Sequence, residues 1–109
     1  MNVESMKKIL ENCTEENITF DEPHVSERCR EYKITKENII HIMIKETNML
    51  TNIIEDRPQV YKLYFKLNKR RQLKIIVDFF EHKKVRIRTL RTMDRKLYKN
   101  LQLRRKGRW

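Results

Sequence analysis

The hydrophobic period changes near residue 50, and this change limits what the chain can fold into. Before it, apolar residues recur at helical spacing: Val3, Met6, Leu10 and Cys13 share one face of a predicted helix over 3–14. After it, "VYKLYFKL" (60–67) alternates strictly. Tyr61, Leu63, Phe65 and Leu67 point one way, and Lys62, Tyr64 and Lys66 the other. A helix cannot bury a period-2 pattern on one side, so the alternating stretch from about 50 to 90 reads as sheet and the periodic segments before it as helix.

The strand reading extends along the chain. "LTNIIED" (50–56) is a weaker strand. "LKIIVDFF" (73–80) sends Leu73, Ile75, Val77 and Phe79 to one face, and "VRIRTL" (85–90) sends Val85 and Ile87 inward and Arg86 and Arg88 outward. "NKRRQ" and "EHKK" are polar turns between them. Short connections between successive strands imply an antiparallel meander with one covered and one open face. Thr92, followed by Asp94 and the ridge Leu90, Met93, Leu97 and Leu101, predicts a final helix over 93–105 with a basic tail after it. Two further helices are predicted in the first half. One spans 23–32, with Pro23 in its first turn, Val25, Cys29 and Tyr32 on one side and His24, Arg28 and Glu31 on a second. The other spans 36–47, capped by Thr35, with Ile39, Ile40, Met43 and Thr47 on its apolar face. Between the first two helices, "EENITF" is a break and a short extended run ending near Phe20. The expected fold class is α+β: N-terminal helices packed on a three- to four-stranded antiparallel sheet, closed by a C-terminal helix. At 109 residues this is one domain.

Charge divides the chain at nearly the same place. Residues 1–56 carry 7 Lys/Arg against 12 Asp/Glu, and residues 57–109 carry 19 against 3. A basic sheet half attracts polyanions. The open sheet face would present Lys62, Tyr64, Lys66, Lys74, Asp78, Arg86 and Arg88; all of these but Asp78, with Arg95 and Lys99 of the last helix, are candidate nucleic-acid-binding residues. Cations there would neutralise phosphates, and Tyr64 would stack on an unpaired base, which favours single-stranded RNA. The other reading of the same residues is a solvated, lysine-rich outer face that resists edge aggregation.

Other chemistries find little support. His24, His41 and His82 lack ligands at metal spacing, so no metal site and no cofactor is expected. A nucleophile elbow is missing, and the single glycine rules out a Gly-rich phosphate loop. Asp78 and Glu81 make a poor paired-carboxylate centre. His41 reads as a structural helix residue and His82 as a solvated turn residue. Cys13 and Cys29 have no redox spacing and read as buried thiols of a cytoplasmic protein. No run of about 18 apolar residues suggests a membrane span, and the N-terminus does not read as a signal peptide.

The stretch "ITFDEPHVSERCREYKIT" (18–35) resembles an uncharacterised family of small prokaryotic proteins. Its members run an extended segment, then H-A-x-x-R-x-x-x-R-x-I-S, a helix and a curved antiparallel sheet. That family looks like a branch of the RelE/ParE toxin-like superfamily, to which the BrnT-type toxins are also similar. His24 and Arg28 match the motif histidine and first arginine, Ile34 the isoleucine and Thr35 the serine, while Val25 and Tyr32 replace the alanine and the second arginine. The resemblance covers about 18–90 as a RelE-like core, with 1–17 as an added helix and 91–109 as a basic helix and tail outside it. It implies a concave basic sheet that holds RNA and, in active members, metal-independent cleavage by attack of a 2′-hydroxyl on the adjacent phosphate. Lys66, Arg86, Arg88 and Tyr98 are the candidate catalytic residues by type. The expected function is an RNA-binding protein resembling RelE-type toxins, an endoribonuclease if active, with RNA, the ribosome and an acidic antitoxin-like protein as partners. The alternatives are a non-catalytic nucleic-acid-binding regulator, a ribosome-associated protein, or a protein-interaction domain. For His24 and Arg28 two roles stand open. In the structural one, which the acidic half of the chain favours, Arg28 bonds an acidic or carbonyl partner and His24 caps or packs against the sheet edge; in the functional one, they extend the phosphate-binding face.

Overall fold

A computed structural model describes residues 1–80 and 84–94. The elements follow in the order α1 (Val3–Glu11), β1 (Ile18–Phe20), α2 (His24–Tyr32), α3 (Lys36–Lys45), β2 (Leu50–Arg57), β3 (Val60–Lys66), β4 (Arg71–Phe80) and β5 (Lys84–Asp94), with 3₁₀ turns at Glu15–Asn17 and Thr47–Met49.

Local chemistry sets the helix ends. Asn2 opens α1, its side chain accepting from the Ser5 amide at 2.8 Å. Thr35 opens α3 in the same way, accepting from the Asn38 amide at 3.1 Å, as its sequence position predicts. Helix α2 stops at Lys33, which takes a left-handed conformation (φ 56°, ψ 46°) so that the chain can turn back at once into α3. The β2–β3 hairpin turns on Pro58 and Gln59. Proline suits the first corner, and Gln59 accepts the positive φ of 68° that the second corner needs.

The sheet corrects the sequence-based expectation. Five strands lie in the order β1-β5-β4-β3-β2, and β1 runs parallel to β5, pairing Ile18 with Val85 and Phe20 with Ile87. The sheet is therefore mixed, not the three- or four-stranded antiparallel meander expected, and it departs from the antiparallel sheet that the RelE-like resemblance implied. The end of β5 is a second correction. Thr92, Met93 and Asp94, expected to cap and open a C-terminal helix, are strand residues paired with Leu73, Gln72 and Arg71. The rest of that expected helix, 95–105, lies outside the described residues.

One irregularity in β5 positions the site. Ile76 pairs with Thr89, but the next residue, Val77, pairs with Ile87, so Arg88 is an extra residue bulged out of the ladder. The bulge shifts the alternation by one. Val85 and Ile87 point inward before it, and Leu90 points inward after it. The inward face also holds Leu63, Phe65, Leu73, Ile75 and Val77, all fully buried against Met6 and Leu10 of α1, Val25 of α2, and Ile39 and Met43 of α3. The opposite face carries three rows across β3, β4 and β5: Tyr64-Lys74-Arg91, Lys62-Ile76-Thr89 and Val60-Asp78-Arg86.

Candidate nucleic-acid interface

Helix α2 packs along β5 beyond the short reach of β1. Its Val25 and Cys29 enter the core, and the residues beside them face the open side of the sheet. This arrangement cuts a groove of about 420 Å³, walled by His24, Arg28, Glu31 and Tyr32 of α2 and floored by Lys74, Ile76, Thr89 and Arg91 of the sheet. A second concavity of about 310 Å³ shares His24, Ile76 and Thr89 with it and extends over Asp21, Asp56, Arg57, Val60 and Arg88. Both fall within the size range of ligand clefts.

His24 stands where the two lobes meet. Its Nε2 lies 3.1 Å from Thr89 Oγ1, joining the first residue of α2 to the middle of β5. Arg28 does not share a partner with His24. Its Nη1 pairs with Glu31 Oε2 at 3.1 Å, one turn along the same helix. An acidic partner is therefore present, but it lies on α2 itself and does not join the helix to the sheet. The pair is solvent-exposed, at 39% and 50%, and opens onto the groove. Arg28 thus both pairs with Glu31 and lines the groove.

Lys74, on the floor of the groove, is a perturbed cation. Burial pushes its pKa below the ordinary lysine value, the Lys62 and Arg91 charges push the same way, and Asp56 opposes them. A desolvated lysine among other cations is short of negative charge, and perturbed groups of this kind cluster at functional sites.

The remaining sequence-predicted residues are scattered. Arg88 lines the second lobe, with Nη1 at 3.5 Å from Asp78 Oδ1. Arg86 lies outside both lobes. Its Nη2 and Nε donate to Asp78 Oδ2 at 2.7 and 3.2 Å, and its guanidinium covers the Phe80 ring at 5.9 Å. Asp78, 13% exposed, thus neutralises much of the charge expected of this arginine pair. Lys62 reaches Asp56 at 3.8 Å, and Lys66 is exposed at the far end of β3, opposite Gln72 and away from the groove. Tyr64 corrects the stacking expectation, because it is 6% exposed and offers no open ring face. Arg95, Tyr98, Lys99, Glu81 and His82 lie outside the described residues. His41, expected as a structural residue, is 60% exposed on α3 beside Glu46 Oε1 at 3.4 Å.

Sequence reasoning did not single out Arg91, Thr89, Arg57 and Tyr32, which line the two concavities. Arg91 escaped because the strand was expected to stop at residue 90. Reading β5 through to 94 places it beside Lys74. Tyr32 packs against the core as its side of the helix predicts, but it is only half-buried and also lines the groove.

Among the described residues, no group of three or more His, Cys, Asp or Glu side chains is placed to hold a metal ion, and no helix is long and apolar enough to cross a membrane. Cys13 and Cys29 are buried, and burial pushes the Cys29 thiol up, which disfavours its thiolate. Comparison with protein-family models, with curated proteins and with solved structures finds no match to this chain, so a functional reading rests on the groove's own geometry.

Proposed function

We propose that this is a cytoplasmic RNA-binding protein that holds a single strand in the groove between α2 and the open face of the sheet. One observation carries the reading: Arg28 from the helix, and Lys74 and Arg91 from two adjacent strands, converge on one concavity although they are far apart in sequence. A solvated lysine-rich face would spread its cations apart, whereas here Lys74 and Arg91 are direct cross-strand neighbours at an electrostatic cost to Lys74. A phosphate between them would relieve that repulsion. Tyr32 supplies an aromatic surface in the same lobe, which suits an unpaired base. The likeness of the His24–Thr35 stretch to the RelE/ParE-like motif supports RNA as the polyanion.

Fluorescence anisotropy of a labelled octauridylate tests the reading. With three or four cations engaged, the logarithm of affinity should fall with the logarithm of salt at a slope of about −2 to −3. Replacing Lys74 and Arg91 together by Gln should remove most of the binding. Undetectable binding at low salt, or a double variant that binds as the parent does, would overturn it.

A second reading, metal-independent RNA cleavage, is favoured by the presence of His24 and Lys74, both proton-transfer groups, in one groove. Cleavage of this kind would persist in excess chelator and leave 2′,3′-cyclic phosphate ends. Activity that needs magnesium would exclude it.

A further inference from the structure

The two lobes of the groove differ in charge, and the difference points to what each would hold. The first lobe gathers Arg28, Lys74 and Arg91 against a single carboxylate, Glu31, which is already paired with Arg28. It suits a phosphate. The second lobe sets Asp21 and Asp56 beside Arg57 and Arg88, over an apolar floor of Val60 and Ile76. Two carboxylates make a poor continuation of a phosphate track because they repel it. They are good acceptors for hydroxyl or amino hydrogens, and an apolar floor between charged walls accommodates a planar base. The lobes meet at His24, Ile76 and Thr89, so a ligand can lie across both.

We infer that the second lobe is a ribose-and-base subsite, and that its aspartates read the 2′-hydroxyl of the nucleotide whose phosphate sits in the first lobe. The inference rests on the groove being the nucleic-acid site, and it goes further by assigning ribose selectivity to Asp21 and Asp56. The 2′-hydroxyl is the group that distinguishes RNA from DNA at a given position. A carboxylate is the side chain best suited to accept its hydrogen. Asp56 is held only loosely by Lys62, at 3.8 Å, and stands exposed on the edge strand β2, so its carboxylate can turn to a ligand without giving up a tight internal bond.

The test compares oligouridylate with oligodeoxyuridylate of equal length, two strands that differ only in the 2′-hydroxyl. Affinities are measured by anisotropy at low salt for the parent chain, for Asp56→Asn, and for the double variant Asp21→Asn/Asp56→Asn, each checked for folding by circular dichroism. The parent should bind the ribo-strand about three- to tenfold more tightly, the worth of one hydrogen bond. The double variant should lose that preference and hold the deoxy-strand at least as well as before, since two anions are gone. Asp56→Asn alone, at an exposed strand position, should already reduce the ratio, and it serves as the test if the double variant does not fold. Equal binding of the two strands by the parent would overturn the ribose assignment and leave the phosphate groove standing. So would a preference that survives in the variants. Failure of both strands to bind would overturn the groove reading and the ribose assignment with it.

Discussion

Replacing Arg28 by alanine separates the two roles that meet at this residue. The side chain makes one described ion pair, with Glu31 at 3.1 Å, three residues along α2 and exposed on both sides. Exposed helical pairs of this spacing contribute about 0.3–0.5 kcal/mol. For a domain of this size that corresponds to a fall of about 1–4 °C in the thermal midpoint. Alanine is the better helix former, and this offsets part of the loss. The effect on binding should be larger. Removing one phosphate contact should weaken single-strand binding several-fold at low salt and make the salt slope shallower by about 0.7. Glu31→Gln supplies the opposite perturbation. It takes an anion out of the groove and releases Arg28, so affinity should rise while the midpoint falls by the same small amount as for Arg28→Ala. Thermal unfolding by circular dichroism and anisotropy across a salt series measure both quantities on the same samples. If Arg28→Ala lowers the midpoint by more than about 10 °C, beyond anything an exposed pair can supply, and leaves the salt slope unchanged, the residue is structural and the groove assignment at α2 is wrong.

Three further outcomes are expected. Lys74→Met should weaken RNA binding and raise the thermal midpoint at neutral pH, because it removes a desolvated cation repelled by Lys62 and Arg91. The folded pKa lies below the unfolded one, so the unfolded chain binds more protons between the two and wild-type stability should rise with pH through that window. The gap between parent and variant midpoints should therefore narrow as pH increases, and a constant gap would mean that charge is not the cause. Asp78→Asn should strengthen oligouridylate binding in anisotropy by releasing Arg88 into the second lobe, and weaker binding would show that the Asp78 pairing presents the arginines to the ligand. Lys33→Gly should stabilise the fold by up to about 1 kcal/mol in urea unfolding, since glycine takes the left-handed conformation there without a Cβ clash. A loss of stability would mean that Lys33 contributes packing that outweighs its backbone strain.

Much of the architecture was legible because it is local. The Thr35 cap, the three helices, and the alternation in β3 and β4 all follow from short-range pattern. The parallel β1–β5 pair was not legible, because three residues, Ile18–Phe20, carry no signal of which strand they join. The end of β5 was hidden by the bulge. After Arg88 the alternation changes phase, so Leu90 faces the core where a regular strand from Val85 would have turned Thr89 inward. Without that shift, Leu90 and Met93 matched a helical ridge and Thr92 matched a cap. The same misreading removed Arg91 from the candidate site. Tyr64 shows a different limit: alternation places it on the open side, but it does not encode how deeply that side is covered. Arg86 and Arg88 were recognised as outward-facing, yet their pairing with Asp78 depends on cross-strand register, which composition does not specify. The groove itself is tertiary, formed where α2 overhangs a stretch of β5 that β1 does not reach.

The most direct test is to map where RNA touches the folded chain. In a heteronuclear NMR titration with octauridylate, shift changes should concentrate on His24, Arg28, Tyr32, Lys74, Thr89 and Arg91, and leave the outer surfaces of α1 and α3 unmoved. Changes confined to residues 95–109, or to the helical layer, would contradict a binding groove between α2 and the sheet.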